Sequence, residues 1–135
     1  MTRYWLCIID KDNYKIVVQE RVWGLNEHYK TAIDKFRKGD MLAFYVKGRK
    51  LGGIFQIDSA FFENRAELFS GGDFPYRVKL KPVKLPKNGI MDWDDDTIRK
   101  LQLFRNKQRW MLHLIGRAFC ELSIGDFGYL YSKIE

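Results

Sequence analysis

Alternation of apolar and polar positions along the chain predicts several strands. The clearest example is residues 76–83, where every second side chain is apolar and the side chains between them are cationic. A strand with this pattern buries one face and leaves the other face open. The cations of the open face are Arg77, Lys79 and Lys81.

Other apolar runs have the length and composition of strands. Residues 4–9 are rich in aromatic and β-branched side chains, which is typical of a buried strand. Residues 41–47 and 53–58 are predicted to pair as a hairpin, whose cationic tip includes Lys47. Residues 110–115 are predicted as a further strand.

Three segments carry helix signals. Residues 31–38 place apolar side chains on one face and stop at a glycine, which is a common helix end. Aspartates at positions 94–96 supply capping oxygens and negative charge for the first turn of a second helix. A serine followed three residues later by an aspartate caps a last helix at residues 124–133. Residues 10–13 are predicted as a polar turn.

Strands outnumber helices in this pattern and follow one another as meanders, without the strand–helix–strand alternation of a parallel sheet. We therefore predict an α+β fold with a mixed, mostly antiparallel sheet that curls towards a barrel and carries flanking helices. The chain has 135 residues and shows no internal repeat, low-complexity run or Pro/Gly/Ser-rich linker. One domain spanning residues 1–135 is expected.

The positive charge of the chain is concentrated in one segment. The formal net charge is +7, and residues 76–117 hold eleven Lys or Arg against four Asp, which accounts for the whole excess. A localised basic surface attracts polyanions and gains free energy from counterion release when it contacts phosphates. This distribution predicts a nucleic acid as the partner; the alternative is a solvated cationic face without a ligand.

The residues give little support to an enzyme, a metal site or a membrane segment. His28 and His113 are far apart and lack zinc-ligand companions, and the chain has no phosphate-binding loop, G-x-G-x-x-G or G-x-S-x-G motif. Cys7 and Cys120 have no spacing motif and are expected to behave as small apolar residues. No apolar run approaches the ~20 residues of a transmembrane helix. We expect a cytoplasmic, non-enzymatic protein without cofactor, metal or membrane partner.

Two aromatic residues lie in settings that favour ligand contact. Aromatic side chains make up 16% of the chain, and most of them are expected in the core. Trp23 lies between a strand-like run and a helix, and Phe69 lies in a glycine-rich loop that leads to the cationic strand. Aromatic side chains beside cations stack bases while the cations hold phosphates, and each stacked base contributes ~1–3 kcal/mol.

Short motifs that occur in order along nearly the whole chain resemble the EVE domain family. In the first half they are YWLC at residues 4–7, NY at 13–14, VWGL at 22–25, GD at 39–40 and FYV at 44–46. In the second half they are GIF at 53–55, PYRV at 75–78, LF at 103–104, NK at 106–107, Trp110 and LSIGDF at 122–127. EVE domains are related to YTH, ASCH and PUA domains, so the resemblance implies a PUA-like pseudobarrel, in agreement with the pattern.

The resemblance also implies recognition of a modified base. YTH relatives hold N6-methyladenine of RNA in an aromatic cage, and EVE domains are thought to read modified cytosine or adenine in DNA. Trp23 is thereby implied as one wall of the cage. Asn13, and with it Asp12, is implied as the reader of the base edge, and Phe69 or Phe74 as the second wall. The expected ligand is a single strand or a base flipped out of a duplex.

A set of cations is expected to hold the nucleic-acid backbone and to supply affinity without reading the sequence. These residues come from the hairpin tip, from the cationic strand and from the basic segment that follows it. They are Lys47, Arg77, Lys79, Lys81, Lys107, Arg109 and Arg117.

Three other functions stay open from the sequence. A PUA-type binder of structured RNA, such as tRNA or rRNA, would bind with steep salt dependence and ignore base modification. A small hydrolase of modified nucleosides or RNA would turn its substrate over, although no catalytic pair is evident. A small-molecule pocket protein would hold a metabolite in the aromatic cage.

Overall fold

The computed structural model describes residues 1–105 and 109–135. Within them, a curled sheet of eight strands packs against four α-helices and three short 3-10 turns. The strands are β1 (Tyr4–Ile9), β2 (Val22–Leu25), β3 (Met41–Val46), β4 (Lys50–Ile57), β5 (Phe62–Glu63), β6 (Tyr76–Lys84), β7 (Met91–Asp92) and β8 (Phe119–Leu122). The helices are α1 (Lys11–Glu20), α2 (Asp95–Lys100), α3 (Trp110–Leu114) and α4 (Ile124–Lys133). The 3-10 turns are Glu27–Tyr29, Ala32–Lys35 and Gln102–Phe104.

The sheet is mixed and mostly antiparallel. Its main strand order is β2-β6-β4-β3-β1-β8, with β5 paired to β6 and β7 paired to β4. The neighbours β1 and β3 run parallel, with Tyr4 opposite Met41 and Ile9 opposite Val46, and the other pairs are antiparallel. The predicted α+β fold, with a mixed, curled sheet and flanking helices, is confirmed.

Both faces of the sheet are covered, which explains why β1 is apolar at almost every position. Trp5, Cys7 and Ile9 point into a first core, which also contains side chains of α1 and β2. Leu6 and Ile8 point to the opposite face, into a second core with side chains of α3 and α4. The period of two in the strand thus divides its apolar residues between two cores.

A buried carboxylate joins the beginning of β1 to the turn before β3. Asp40 accepts hydrogen bonds from the backbone N–H groups of Arg3 and Arg37 and from the indole N–H of Trp5, each at 3.1 Å. These bonds offset the cost of burying the carboxylate. Because Trp5 also packs against Phe36, with ring centroids 4.4 Å apart, the carboxylate fixes one end of the first core.

The predicted polar turn at residues 10–13 is wrong, because these residues begin helix α1. The Asp10 side chain caps the helix by accepting a hydrogen bond from the Asn13 backbone N–H at 2.8 Å. Tyr14 then faces the first core, and its hydroxyl accepts a hydrogen bond from the Gly53 N–H at 2.6 Å. The helix is therefore fixed both at its cap and along its buried face.

Two other predicted elements are also wrong. Residues 110–115 contain helix α3 instead of a strand, with Trp110 and Leu114 on the face that packs into the second core. A short apolar run fits a helix or a strand equally well, so periodicity alone does not separate them. Residues 31–38 form the 3-10 turn Ala32–Lys35 instead of an α-helix, and no side-chain cap stabilises its beginning.

The predicted caps of α2 and α4 are confirmed. Asp94 accepts a hydrogen bond from the Thr97 N–H at 2.9 Å, and the Ser123 hydroxyl accepts one from the Asp126 N–H at 3.1 Å. Lys133, at the end of α4, donates to the Asp94 carboxylate at 2.5 Å, and this contact lowers the pKa of Asp94 to about 2. The ion pair ties the two helices together on the second core.

Cys7 and Cys120 are both buried free thiols. They lie on neighbouring strands, but the Cys7 side chain belongs to the first core and the Cys120 side chain to the second. Burial raises the pKa of both thiols, to about 11 for Cys120. Each thiol therefore behaves as a small apolar side chain.

Candidate functional site

One end of the sheet carries a cavity of about 220 Å³. Its wall is built from the end of β1, from β2, from the loop of residues 64–75 (loop 64–75) and from residues 116–118, which precede β8. Pockets for drug-sized ligands usually occupy ~300–1,000 Å³. This cavity is smaller, so its volume suits one flat ring system better than a whole nucleotide.

Trp23 lines the cavity and belongs to the first core at the same time. Its side chain is only 3% exposed. Phe36, Phe44, Phe61 and Phe119 surround it with their rings inclined to the indole, at centroid distances of 5.5, 6.4, 6.3 and 6.5 Å. Because these neighbours fix the orientation of the indole, Trp23 offers the cavity a preorganised aromatic surface.

Phe69 and Phe74 of loop 64–75 form a second aromatic wall. Their rings meet edge-on, with centroids 5.6 Å apart. Gly24 in β2 allows their close approach, because a Cβ atom there would lie 2.8 Å from Cε2 of Phe69 and 2.8 Å from the carbonyl oxygen of Phe74. Phe74 itself has a φ of 44°, a left-handed conformation that costs a non-glycine residue ~1–3 kcal/mol. Contacts elsewhere in the loop must offset this cost.

Arg77 makes contacts that hold loop 64–75 in place, and its side chain is buried. The predicted alternation of β6 is confirmed, and Lys79 and Lys81 are exposed on its outer face. The prediction that Arg77 also lies open on that face is wrong, because its side chain is 2% exposed. Loop 64–75 covers this end of the strand and encloses the guanidinium.

The guanidinium of Arg77 holds the loop by its backbone. It donates three hydrogen bonds, of 2.6–3.1 Å, to carbonyl oxygens and lies 5.4 Å from the ring centroid of Phe69. Burial lowers the pKa of Arg77, while the nearby Asp73 carboxylate opposes that shift. The charge is thus compensated mainly by backbone dipoles. The accepting carbonyls belong to Ala66, Asp73 and Phe74.

Asn13 fixes the same loop against helix α1. Its side-chain N–H groups donate to the Ser70 carbonyl at 2.8 Å and to the Asp10 carboxylate at 3.2 Å. Its side-chain oxygen accepts a hydrogen bond from the Ser70 N–H at 2.7 Å. Both amide hydrogens are therefore engaged, and one lone pair of the oxygen is left for a ligand.

Cations lie at the rim of the cavity and beyond it. Lys47 and Arg117 line the cavity, and both side chains are exposed. Lys79, Lys81 and Arg109 are exposed as well but do not line the cavity. Six predicted site residues therefore meet around one cavity, and contact with a nucleic acid stays a prediction for each of them. They are Asn13, Trp23, Lys47, Phe69, Phe74 and Arg117.

The remaining predicted residues lie elsewhere, and some cavity residues were missed. Asp12 is exposed on α1 and does not line the cavity, and Lys107 lies outside the described residues. Asp10, Asn26 and Tyr29 line the cavity but were not predicted. Asp10 and Asn26 are helix N-caps, a pattern that the sequence does carry, whereas Tyr29 has no comparable signal.

Two kinds of site have no basis in the described part of the chain. Among residues 1–105 and 109–135, no group of three His, Cys, Asp or Glu side chains is placed to hold a metal ion. No helix found there is both long and apolar enough to cross a membrane.

Comparisons with known proteins identify relatives of this fold. The family model described as EVE domain matches residues 3–119. A UPF0310 protein of Pyrococcus abyssi is 32% identical over 144 residues, which cover 97% of this chain and 99% of that protein. The Mmi1 YTH domain, solved in complex with RNA, superposes with a TM-score of 0.68 at 14% identity, covering 98% of this chain and 77% of that one.

A second solved structure has the same fold. The YTH domain of the Zygosaccharomyces rouxii MRB1 protein, in complex with N6-methyladenosine RNA, superposes with a TM-score of 0.64 at 12% identity. The match covers 98% of this chain and 84% of that one. At such identities the likeness shows the fold alone, and it confirms the predicted PUA-like pseudobarrel.

Replacing Gly24 with alanine is expected to displace loop 64–75, because the new methyl group would lie within 3.0 Å of both Phe69 and Phe74. We expect the free energy of unfolding to fall by ~1–3 kcal/mol, with backbone amide chemical shifts changing in the loop. Gly128→Ala in α4 is the matched control, since nothing lies within 4 Å of its Cβ position. Equal unfolding free energies for the two variants would contradict the close approach at Gly24.

Replacing Arg77 with lysine is expected to loosen loop 64–75. Lysine keeps the charge but lacks the planar fork that reaches several carbonyls at once. We expect a loss of ~1–3 kcal/mol in the free energy of unfolding and faster hydrogen exchange at the Ser70 amide. The same substitution at exposed Arg109 is the control. An unchanged exchange rate at Ser70 would show that the loop does not depend on this guanidinium.

Proposed function

This chain belongs to the EVE domain family, and we propose that it is a nucleic-acid-binding module, not an enzyme, that holds one modified base in the cavity. The observation that carries the proposal is the composition of that single cavity. Aromatic side chains of Trp23, Phe69 and Phe74 line it, and the cations of Lys47 and Arg117 stand at its rim. Rings suit a base, and cations suit the adjoining phosphates.

Solved structures of the same fold support the choice of ligand class. The Mmi1 YTH domain is in complex with RNA, and the MRB1 YTH domain is in complex with N6-methyladenosine RNA. The basic segment of this chain supplies the matching charge, because its eleven Lys or Arg outnumber its four Asp between residues 76 and 117. That the bound base is modified is proposed from the family resemblance.

The aromatic walls account for a preference for a methylated base. A methyl group gains about 0.8 kcal/mol when it leaves water for an apolar surface. Stacking of the base adds ~1–3 kcal/mol, whether or not the base is modified. Methylation alone therefore favours binding by only a few-fold, and the polar groups of the cavity must add to the discrimination.

The hydrogen bonds that Asn13 already makes limit which edge of a base this side chain is able to read. Its two amide hydrogens are already donated to Ser70 and Asp10, so only its oxygen is left to accept a hydrogen bond. An accepting oxygen suits a base that presents an N–H, such as the amino group of cytosine or adenine. This polarity agrees with the modified cytosine or adenine that the family resemblance implies.

Replacing Phe69 with leucine tests the stacking role without emptying the core. Trp23→Ala is less informative, since removing a tryptophan that is 3% exposed is expected to cost ~3–5 kcal/mol of stability. Affinities are measured by fluorescence anisotropy at fixed salt, with single-stranded DNA and RNA that is plain or carries 5-methylcytosine, 5-hydroxymethylcytosine or N6-methyladenine. We expect one modified strand to bind best and Phe69→Leu to weaken that binding about tenfold.

The control for this variant is Phe62→Leu, since Phe62 is half-buried in β5 and does not line the cavity. Thermal unfolding of both variants verifies that the fold is intact. Equal, salt-sensitive binding of plain and modified strands would replace the modified-base reader with a general PUA-type RNA or DNA binder. Absence of binding to every strand would contradict the proposed function, and turnover of a strand would indicate a hydrolase.

Replacing Lys47 or Arg117 with alanine is expected to weaken binding of plain and modified strands by the same factor. Each cation that contacts one phosphate contributes roughly one unit to the slope of log affinity against log salt concentration. Lys38→Ala is the control, because Lys38 is exposed before β3, at the end of the sheet away from the cavity. A salt slope that is the same in all three variants would exclude phosphate contacts at the rim.

A further inference from the structure

Helix α3 presents an apolar face to solvent. Two side chains of the helix are exposed, Met111 by 48% and Leu112 by 58%. The C-cap residue Ile115 is exposed by 66%. Ile115, the C-cap residue, follows Met111 by four positions and Leu112 by three, so each of the two helical side chains lies near it. Trp110 and Leu114 occupy the other side, which packs into the second core. The three exposed residues are called the α3 ridge.

The α3 ridge adjoins the cavity. Ile115 directly precedes residues 116–118, which line the cavity. The Ile8 N–H donates to the Ala118 carbonyl at 2.9 Å, which fixes this segment beside the end of β1. Gly116 turns the chain between ridge and cavity, with a φ of 75° that only glycine adopts readily. The ridge is therefore joined to the cavity rim by a single turn of the chain.

The charge around the α3 ridge points to a polyanionic partner. The sequence has no Asp or Glu from residue 97 to residue 120. Arg105, Arg109 and Arg117 are exposed on either side of the ridge in the sequence. An apolar surface whose charged neighbours in the sequence are cations suits an insertion between stacked bases, with phosphates on both sides.

We propose that the α3 ridge inserts into a DNA duplex and occupies the space left by the base that turns into the cavity. This inference rests on the proposed function and extends it from single strands to duplexes. Drawing a base out of a duplex costs stacking and pairing energy, and apolar side chains that fill the gap offset part of that cost. DNA fits better than duplex RNA, whose accessible minor groove displays 2′-hydroxyl groups that apolar side chains leave without partners.

The test uses the double variant Leu112→Ala/Ile115→Ala. Both residues are exposed, so their truncation is expected to leave the unfolding temperature nearly unchanged. Affinity is measured for a DNA duplex and for a single strand that carry the same preferred modified base. We expect duplex affinity to fall about tenfold or more and single-strand affinity to stay within about twofold. A 2-aminopurine beside the modified base should brighten with the wild-type protein and stay quenched with the variant.

Ile124→Ala is the matched control, because Ile124 is 70% exposed at the other end of the sheet. Strand β8 runs away from the cavity, with Phe119 opposite Cys7 and Leu122 opposite Tyr4, before Ile124 begins α4. Duplex affinity that is equal for the double variant and the wild type would overturn the ridge proposal. So would an equal effect of the substitutions on single-strand binding or on the binding of duplex RNA.

Two further outcomes are distinguished by the same samples. If the wild type sediments as a dimer and the double variant as a monomer, the α3 ridge is a contact between copies of this chain and not a DNA wedge. If the wild type binds neither the single strand nor the duplex, the proposed function itself fails. Failure of the ridge alone leaves single-strand binding intact, so the two failures are separable.

Discussion

Arg77 carries a charge into a position that is almost closed to solvent, and such a charge persists only where polar groups surround it. Three backbone carbonyls of loop 64–75 meet that demand. The loop cannot move away without leaving the guanidinium unpaired, so it stays where Phe69 packs against Gly24. The need of the buried guanidinium for hydrogen-bond partners therefore sets the shape of the cavity wall. Asn13 adds a second attachment through Ser70.

The two-sided core decides where a cavity is able to form. Helices α3 and α4 cover one face of the sheet and α1 covers the other, so the middle of the sheet is inaccessible. The end near Ile9, Trp23 and residues 116–118 opens into the cavity that aromatic side chains line. The parallel pairing of β1 and β3 contributes to this arrangement, because their far ends are closed by the buried carboxylate of Asp40.

The sequence predicted the mixed, curled sheet and six of the residues that line the cavity, and the errors have physical causes. Strong alternation in β6 and the Asp94 and Ser123 caps gave correct elements because the local signal and the tertiary packing agree there. At α1 they disagree, since the β-branched residues 16–18 favour a strand while the Asp10 cap and a buried face favour a helix. Arg77 was misplaced because alternation tells which face a side chain takes and not which loop later covers that face.

Trp23 has two roles that cannot be changed separately, because the same indole supports the first core and lines the cavity. Loop 64–75 is attached to Arg77 and to Asn13 through its backbone atoms, so these attachments depend less on which side chains the loop carries. Folding therefore constrains Trp23 more strongly than it constrains the side chains of loop 64–75. Relatives that recognise different ligands should share the tryptophan and differ in the aromatic residues of the loop, because the loop is held through its backbone.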